Sequence, residues 1–164
     1  MSLPTLPTLP HALTSLTERE AITDALYRAI IGFDNNDITI FNSAFSGQDV
    51  VFEFNGKVVS GLDTIRTQFL DAVGPMDTTH TVSNVRVEVK DGASTAALTA
   101  YVLAQHCRPG EGQDPEGPKY LGASNYYVDV GKDKSDGVWK IQKTTAKTIW
   151  RQGDRSVMQR PATG

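Results

Sequence analysis

Three side chains able to move protons stand at the ends of otherwise apolar runs: Asp34, His80 and His106. Asp34 closes the run Ala29-Ile30-Ile31-Gly32-Phe33, His80 opens one β-like run, and His106 closes the next. The chain has three histidines, and the third, His11, lies in a Pro-rich leader. An imidazole titrates near neutral pH, and a neighbouring carboxylate fixes its tautomer and stabilises the imidazolium. Two rings on either side of a small molecule suit an elimination or an isomerisation. Each residue also has a plainer reading. Asp34 could cap the segment after a helix, His80 could be an ordinary strand-end histidine, and His106 a satisfied core residue.

Other chemistries fit less well. Two histidines and a carboxylate can form a facial triad for iron, but such triads use tighter motifs than these dispersed positions, so neither a metal nor another cofactor is expected. Cys107 follows His106 directly, and on a strand the two side chains point to opposite faces and cannot pair. No nucleophile elbow, phosphate-binding loop or dinucleotide fingerprint is present.

The elements that must position these residues are legible. Thr17-Glu18-Arg19-Glu20 is a capping box. After it Ala21, Ile22, Ala25, Leu26, Ala29, Ile30 and Phe33 recur at helical spacing, giving an amphipathic helix. Asn35-Asn36-Asp37 breaks it, and Asp37 can cap a short second helix carrying Phe41 and Phe45. Asn55-Gly56 between two β-rich runs, 49–54 and 57–61, is a strong hairpin signal. Leu62 to Val73 reads as a helix ended by Gly74-Pro75. The rest reads as strands over 79–89, 93–107, 120–130 and 138–150, with a polar Gly/Pro-rich loop at 109–118. Helices followed by a long antiparallel meander make an α+β layout, a curved sheet wrapped around helices with a pocket open at one end.

Strand parity bears on the candidates. Leu98, Ala100, Val102 and Ala104 share a face with His106, and that small apolar face suits a pocket wall. His80 shares its face with Val82, Asn84 and Arg86, a mixed set. For Glu53 parity does not decide: inside a barrel its carboxyl would have a raised pKa and act as an acid, and outside it would be a solvated charge.

Composition narrows the partners. At 164 residues the chain is one domain with a sizeable core, and 39% hydrophobic content suits a soluble protein. A net charge of −3 gives no reason to expect nucleic acid, and mixed charges give none for a membrane surface. No apolar run approaches the ~20 residues that span a bilayer. The single Cys107 forms no internal disulfide, which agrees with a reducing, cytoplasmic setting. The leader Met1 to Pro10 lacks the features of a signal peptide and reads as an extended arm with a Thr-Leu-Pro repeat. The expected organisation is an arm over 1–16, a domain over 17–152 and a flexible tail over 153–164.

The helix ending in Phe33-Asp34, Thr79-His80 opening a strand, His106 closing the next, and Asp136-Gly137-Val138-Trp139-Lys140 opening the last strand resemble a known family. They are similar to the SnoaL-like branch of the NTF2-like, cystatin-like fold, a cone-shaped barrel, and within it to the scytalone dehydratase-like proteins. The resemblance covers roughly residues 17–151. It implies a cofactor-free dehydratase, cyclase or isomerase acting on a small carbonyl-containing, polyketide- or terpenoid-like metabolite. It implies that Asp34 orients His106 as general base, that His80 assists, and that Asn125 holds the substrate. Two tyrosines of the dehydratases are replaced here: Phe33 stands for one, and Phe52-Glu53-Phe54 covers the other. Carbonyl activation would then fall to Tyr27, Tyr101 or Glu53, with Phe33, Phe52, Phe54 and Val102 lining an apolar pocket. The fold also implies a homo-oligomer, dimer or trimer, through the face of Thr99, Tyr101 and Leu103. The alternative is a non-catalytic binding or assembly module, or an accessory subunit of an oxygenase, on the same fold.

Overall fold

A computed structural model describes residues 12–159. Helix α1 (Glu18–Asp34) starts at the expected capping box: the Thr17 hydroxyl accepts from the Glu20 N–H at 3.3 Å, and the Thr17 N–H donates to the Glu20 carboxylate at 2.7 Å. Its buried stripe is Ile22, Ala25, Leu26, Ala29 and Ile30. Near its end Gly32 permits a close crossing, because a Cβ there would lie 2.6 Å from the Phe41 Cβ. Phe41 belongs to α2 (Ile38–Ser43), capped by the Asp37 carboxylate, which accepts from the Thr39 and Ile40 N–H groups at 2.9 and 3.1 Å.

Strands β1 (Val51–Phe54) and β2 (Lys57–Ser60) form the expected hairpin. Its turn residues have the positive φ of a type I′ turn, 51° at Asn55 and 86° at Gly56. The following helical stretch is not uniform. Helix α3 (Leu62–Ile65) widens into a π-type segment, Arg66–Leu70, and resumes as α4 (Asp71–Val73). The wider turn fans its side chains, and Gln68, Phe69, Ala72 and Val73 all reach one cavity.

Four long strands follow: β3 (Asp77–Glu88), β4 (Thr95–Cys107), β5 (Lys119–Lys132) and β6 (Trp139–Gly153). The sheet runs β2-β1-β6-β5-β4-β3. All neighbours are antiparallel except β1 and β6, which are parallel with Phe52 opposite Thr144, so the wholly antiparallel sheet read from the sequence is corrected to a mixed one. The reason is connectivity: no hairpin joins β1 to β6, so nothing imposes the antiparallel sense. Helix α1 packs on β3, β4 and β6, and the core lies between them around Phe41, Leu98, Val128, Val130 and Ile141. Arg28 is buried there, its guanidinium held 2.9 Å from Asp24 and donating to the Trp139 carbonyl at 2.6 Å and to the Ser43 carbonyl.

The boundary expected at 153 moves. A 3₁₀ turn, Arg155–Met158, follows β6, and its Val157 is buried. The chain folds back because Asp154 caps that turn, accepting from the Ser156 N–H at 2.8 Å. Of the proposed arm, residues 1–11 lie outside the described residues, as do 160–164 of the proposed tail. Among the described residues no helix is long and apolar enough to cross a membrane.

Candidate active site

Asp34 is the last residue of α1, and the α1–β3 packing brings it to the first half of β3. Its carboxylate accepts three hydrogen bonds: from the Thr78 hydroxyl at 2.9 Å, from the His80 backbone N–H at 2.9 Å and from the His80 ring at Nδ1, 2.6 Å away. A carboxylate can only accept, so Nδ1 carries a proton and Nε2 is left as the exchanging nitrogen. Phe33 stacks on the same ring, with centroids 6.0 Å apart. Both carboxylate oxygens are thus spent on orienting His80 and its strand.

This corrects the expected pairing. Asp34 binds His80, not His106. On the sheet Thr78 stands opposite His106 and His80 opposite Ala104, so the two histidines are offset by two residues and only His80 meets the helix end. His106 is 8% exposed and has its own partner, the Tyr120 carbonyl, 3.3 Å from Nδ1. A carbonyl also only accepts, so Nδ1 is again the protonated nitrogen and Nε2 carries the lone pair. The rings meet edge to face, with centroids 5.4 Å apart. Burial first, and then the neighbouring His80, push the His106 pKa down to about 4, against the opposing pull of the Tyr120 carbonyl and Asp34. His106 is therefore neutral at physiological pH.

Both rings open into a cavity of about 340 Å³, the size of a small-metabolite site. Its walls are mostly apolar and include Phe33, Phe52, Phe54, Phe69, Val102 and Ala104. The expected wall residues Phe33, Phe52, Phe54 and Val102 all lie in it, and the parity read for His106 holds, with Leu98, Ala100 and Val102 buried beside it.

Four expected residues do not reach the cavity. Glu53 falls between Phe52 and Phe54, which both face inward, so strand alternation turns it away. Asn125 falls between Ser124 and Tyr126, which line the cavity, and is turned away for the same reason. Tyr27 lies on the far side of α1, 41% exposed, in an outer groove with Leu16 and Val87. Tyr101 is likewise exposed on the outer sheet face.

The cavity also holds polar residues that the sequence reading missed: Tyr126, Ser124, Thr148, Arg151 and Arg155. The inward parity of Ser124 and Tyr126 was available in the alternation with Val128 and Val130, which are buried. For Arg151 no such signal exists. Thr148 and Arg151 are three residues apart and should face opposite ways, yet both line the cavity. The register explains it: Ala123 pairs with Trp150 and Ser124 with Thr148, leaving Ile149 as an extra, bulged residue that reverses the parity beyond it. Tyr126 offers the cavity a hydroxyl with no hydrogen-bond partner among the described residues, and burial pushes its pKa up to about 12, so it is a neutral donor.

The family described as SnoaL-like domain matches residues 14–145. Terrestric acid biosynthesis cluster protein E of Penicillium crustosum is 42% identical over 152 residues, covering 92% of this chain and 96% of that protein. A solved structure from Novosphingobium aromaticivorans, provisionally named a scytalone dehydratase, superposes with a TM-score of 0.70 at 21% identity, covering 84% of this chain and 88% of its own. The hexachlorocyclohexane dehydrochlorinase LinA-type3 from Novosphingobium barchaimii superposes with a TM-score of 0.66 at 22% identity, covering 87% and 94%. The fold is the NTF2-like, cystatin-like one.

Proposed function

The chain belongs to the SnoaL-like domain family, and from that premise we propose that it is an acid–base enzyme catalysing an elimination or isomerisation next to a carbonyl of a small secondary metabolite. The observation that carries this reading is the 2.6 Å pair of Asp34 and His80 at the wall of an apolar cavity. The biosynthetic-cluster relative supports a metabolite as substrate.

In this reading His80 Nε2 removes the proton from the carbon beside the carbonyl, and Asp34 stabilises the imidazolium. The electron pair moves onto the carbonyl oxygen, where the Tyr126 hydroxyl donates to the developing enolate. Collapse of the enolate expels hydroxide from the next carbon, and His80 returns its proton to it as water. Return of the proton to a different carbon gives isomerisation instead. His106, neutral with its lone pair on Nε2, accepts a hydrogen bond from a substrate hydroxyl and positions it. A second copy would pack on the outer sheet face, where Tyr101, Leu103, Tyr127, Ile149 and Trp150 are all exposed.

The test is proton exchange. The protein is incubated in D₂O with a panel of β-hydroxy ketones and β-hydroxy acids, and NMR follows deuterium entering beside the carbonyl and new alkene signals. The wild type should show either, and His80→Gln should lose it by about 100-fold or more. Tight binding of panel members with no exchange in the wild type would replace the reading with a binding module.

A further inference from the structure

The cavity carries a charge that the proton chemistry does not use. Arg151 and Arg155 both line it, and no Asp or Glu does. Neither guanidinium has a hydrogen bond or ion pair among the described residues. Elsewhere Arg28 pairs with Asp24, Arg66 with Asp63 and Arg108 with Glu111 and Ser156, while exposed Arg86 on β3 is likewise without a partner among the described residues. Arg151 and Arg155 are both exposed, and two positive charges at the rim of apolar walls attract an anion and raise its local concentration.

Their placement is built into the backbone. Arg151 stands in the row Ala104–Gly122–Arg151 across β4, β5 and β6, next to the row His106–Tyr120–Gly153. It faces the cavity only because Ile149 is bulged. Bulges re-aim side chains beside functional sites. Gly122, between Ala104 and Arg151, leaves the wall open at that level. Arg155 comes from the 3₁₀ turn that the Asp154 cap folds back. Two inter-strand spacings of about 4.8 Å each separate the β4 and β6 backbones that carry His106 and Arg151, which leaves room for a short carbon skeleton between their side chains.

We propose that Arg151 and Arg155 are specificity residues that bind a carboxylate of the substrate, with Arg151 across the sheet from His80 in the row His80–Ala104–Gly122–Arg151. This rests on the reading of the cavity as a substrate site and names its substrate class as a small hydroxy or keto acid. A guanidinium fork matches a planar carboxylate through paired N–H donors, and it stays charged at every working pH.

The experiment compares 2-naphthoate with its neutral isostere 2-naphthamide by calorimetry, on the wild type and on Arg151→Gln/Arg155→Gln. The wild type should favour the acid by about tenfold or more, and added salt should weaken the acid alone. The double glutamine variant should lose that preference while melting like the wild type, since neither side chain holds the fold. Equal binding of acid and amide by the wild type, weak binding of both included, overturns the proposal, as does a preference that survives in the double variant. Tighter binding of 2-naphthalenesulfonate than of 2-naphthoate overturns the carboxylate assignment. A carboxylate preference without turnover of any hydroxy or keto acid sinks the enzyme reading and leaves this one standing. Turnover of neutral ketones by a wild type that binds the acid and the amide equally does the reverse.

Discussion

Asp34 grips His80 at two points, the ring Nδ1 at 2.6 Å and the backbone N–H at 2.9 Å. Both the tilt of the ring and the position of its strand are therefore set by one carboxylate. An amide at this position has one acceptor oxygen for three donors and turns an N–H₂ group toward one of them. Asp34→Asn should lower kcat/KM by roughly 10²–10⁴-fold, the scale of tautomer loss in other His–Asp pairs, with an unchanged far-UV spectrum. A fall in stability as large as the fall in rate would make the pair a structural device instead.

His106 makes stability depend on pH. Its pKa in the fold is about 4, below the ordinary 6.5. Above pH 6.5 the ring is neutral in both the folded and the unfolded chain and contributes nothing. Between 6.5 and 4 the unfolded chain takes up a proton that the folded chain refuses, so stability falls as pH drops through that window. The full loss below pH 4 is on the order of 3 kcal/mol. Urea midpoints at pH 7 and pH 5 should differ for the wild type and differ less for His106→Gln.

Tyr126→Phe separates catalysis from folding. The phenol has no hydrogen-bond partner among the described residues to lose, so the melting temperature should hold or rise slightly. If the hydroxyl polarises the carbonyl, kcat should fall by roughly 10²-fold, the scale of one lost oxyanion donor, with KM little changed. An unaffected kcat would remove Tyr126 from the mechanism.

Gly32→Ala tests the corner that aims Asp34. The added methyl would sit 2.6 Å from the Phe41 Cβ and 2.7 Å from its Cα, so backbone must move. Overpacking of this kind costs about 1–3 kcal/mol. Because Asp34 lies half a turn further on, activity should fall beyond what the lost folded fraction explains, as measured on samples kept well below the melting temperature.

The parts of this molecule legible in the sequence are those governed by neighbours along the chain. The Thr17–Glu20 box, the stripe from Ile22 to Ile30, the Asn55-Gly56 turn and the inward parity of His106 each follow from local spacing. What spacing does not carry is which residues meet across elements. The resemblance pointed Asp34 at His106, whereas the β3–β4 register delivers it to His80. The resemblance implies an inward Asn125 and leaves the face of Glu53 open, whereas the residues flanking each of them occupy the inner face. The bulge at Ile149 leaves no mark on composition, so the inward turn of Arg151 had no sequence signal.

The SnoaL-like match ends at residue 145, and Thr148, Arg151, Arg155 and Met158 of the cavity wall all follow it. The family model thus spans Asp34, His80 and His106 but none of the residues that give the cavity its charge. Kinship and selectivity can drift apart in such a design: exchanging the last few residues of β6 and the turn beyond it between relatives should move ligand preference while leaving the proton-transfer machinery in place.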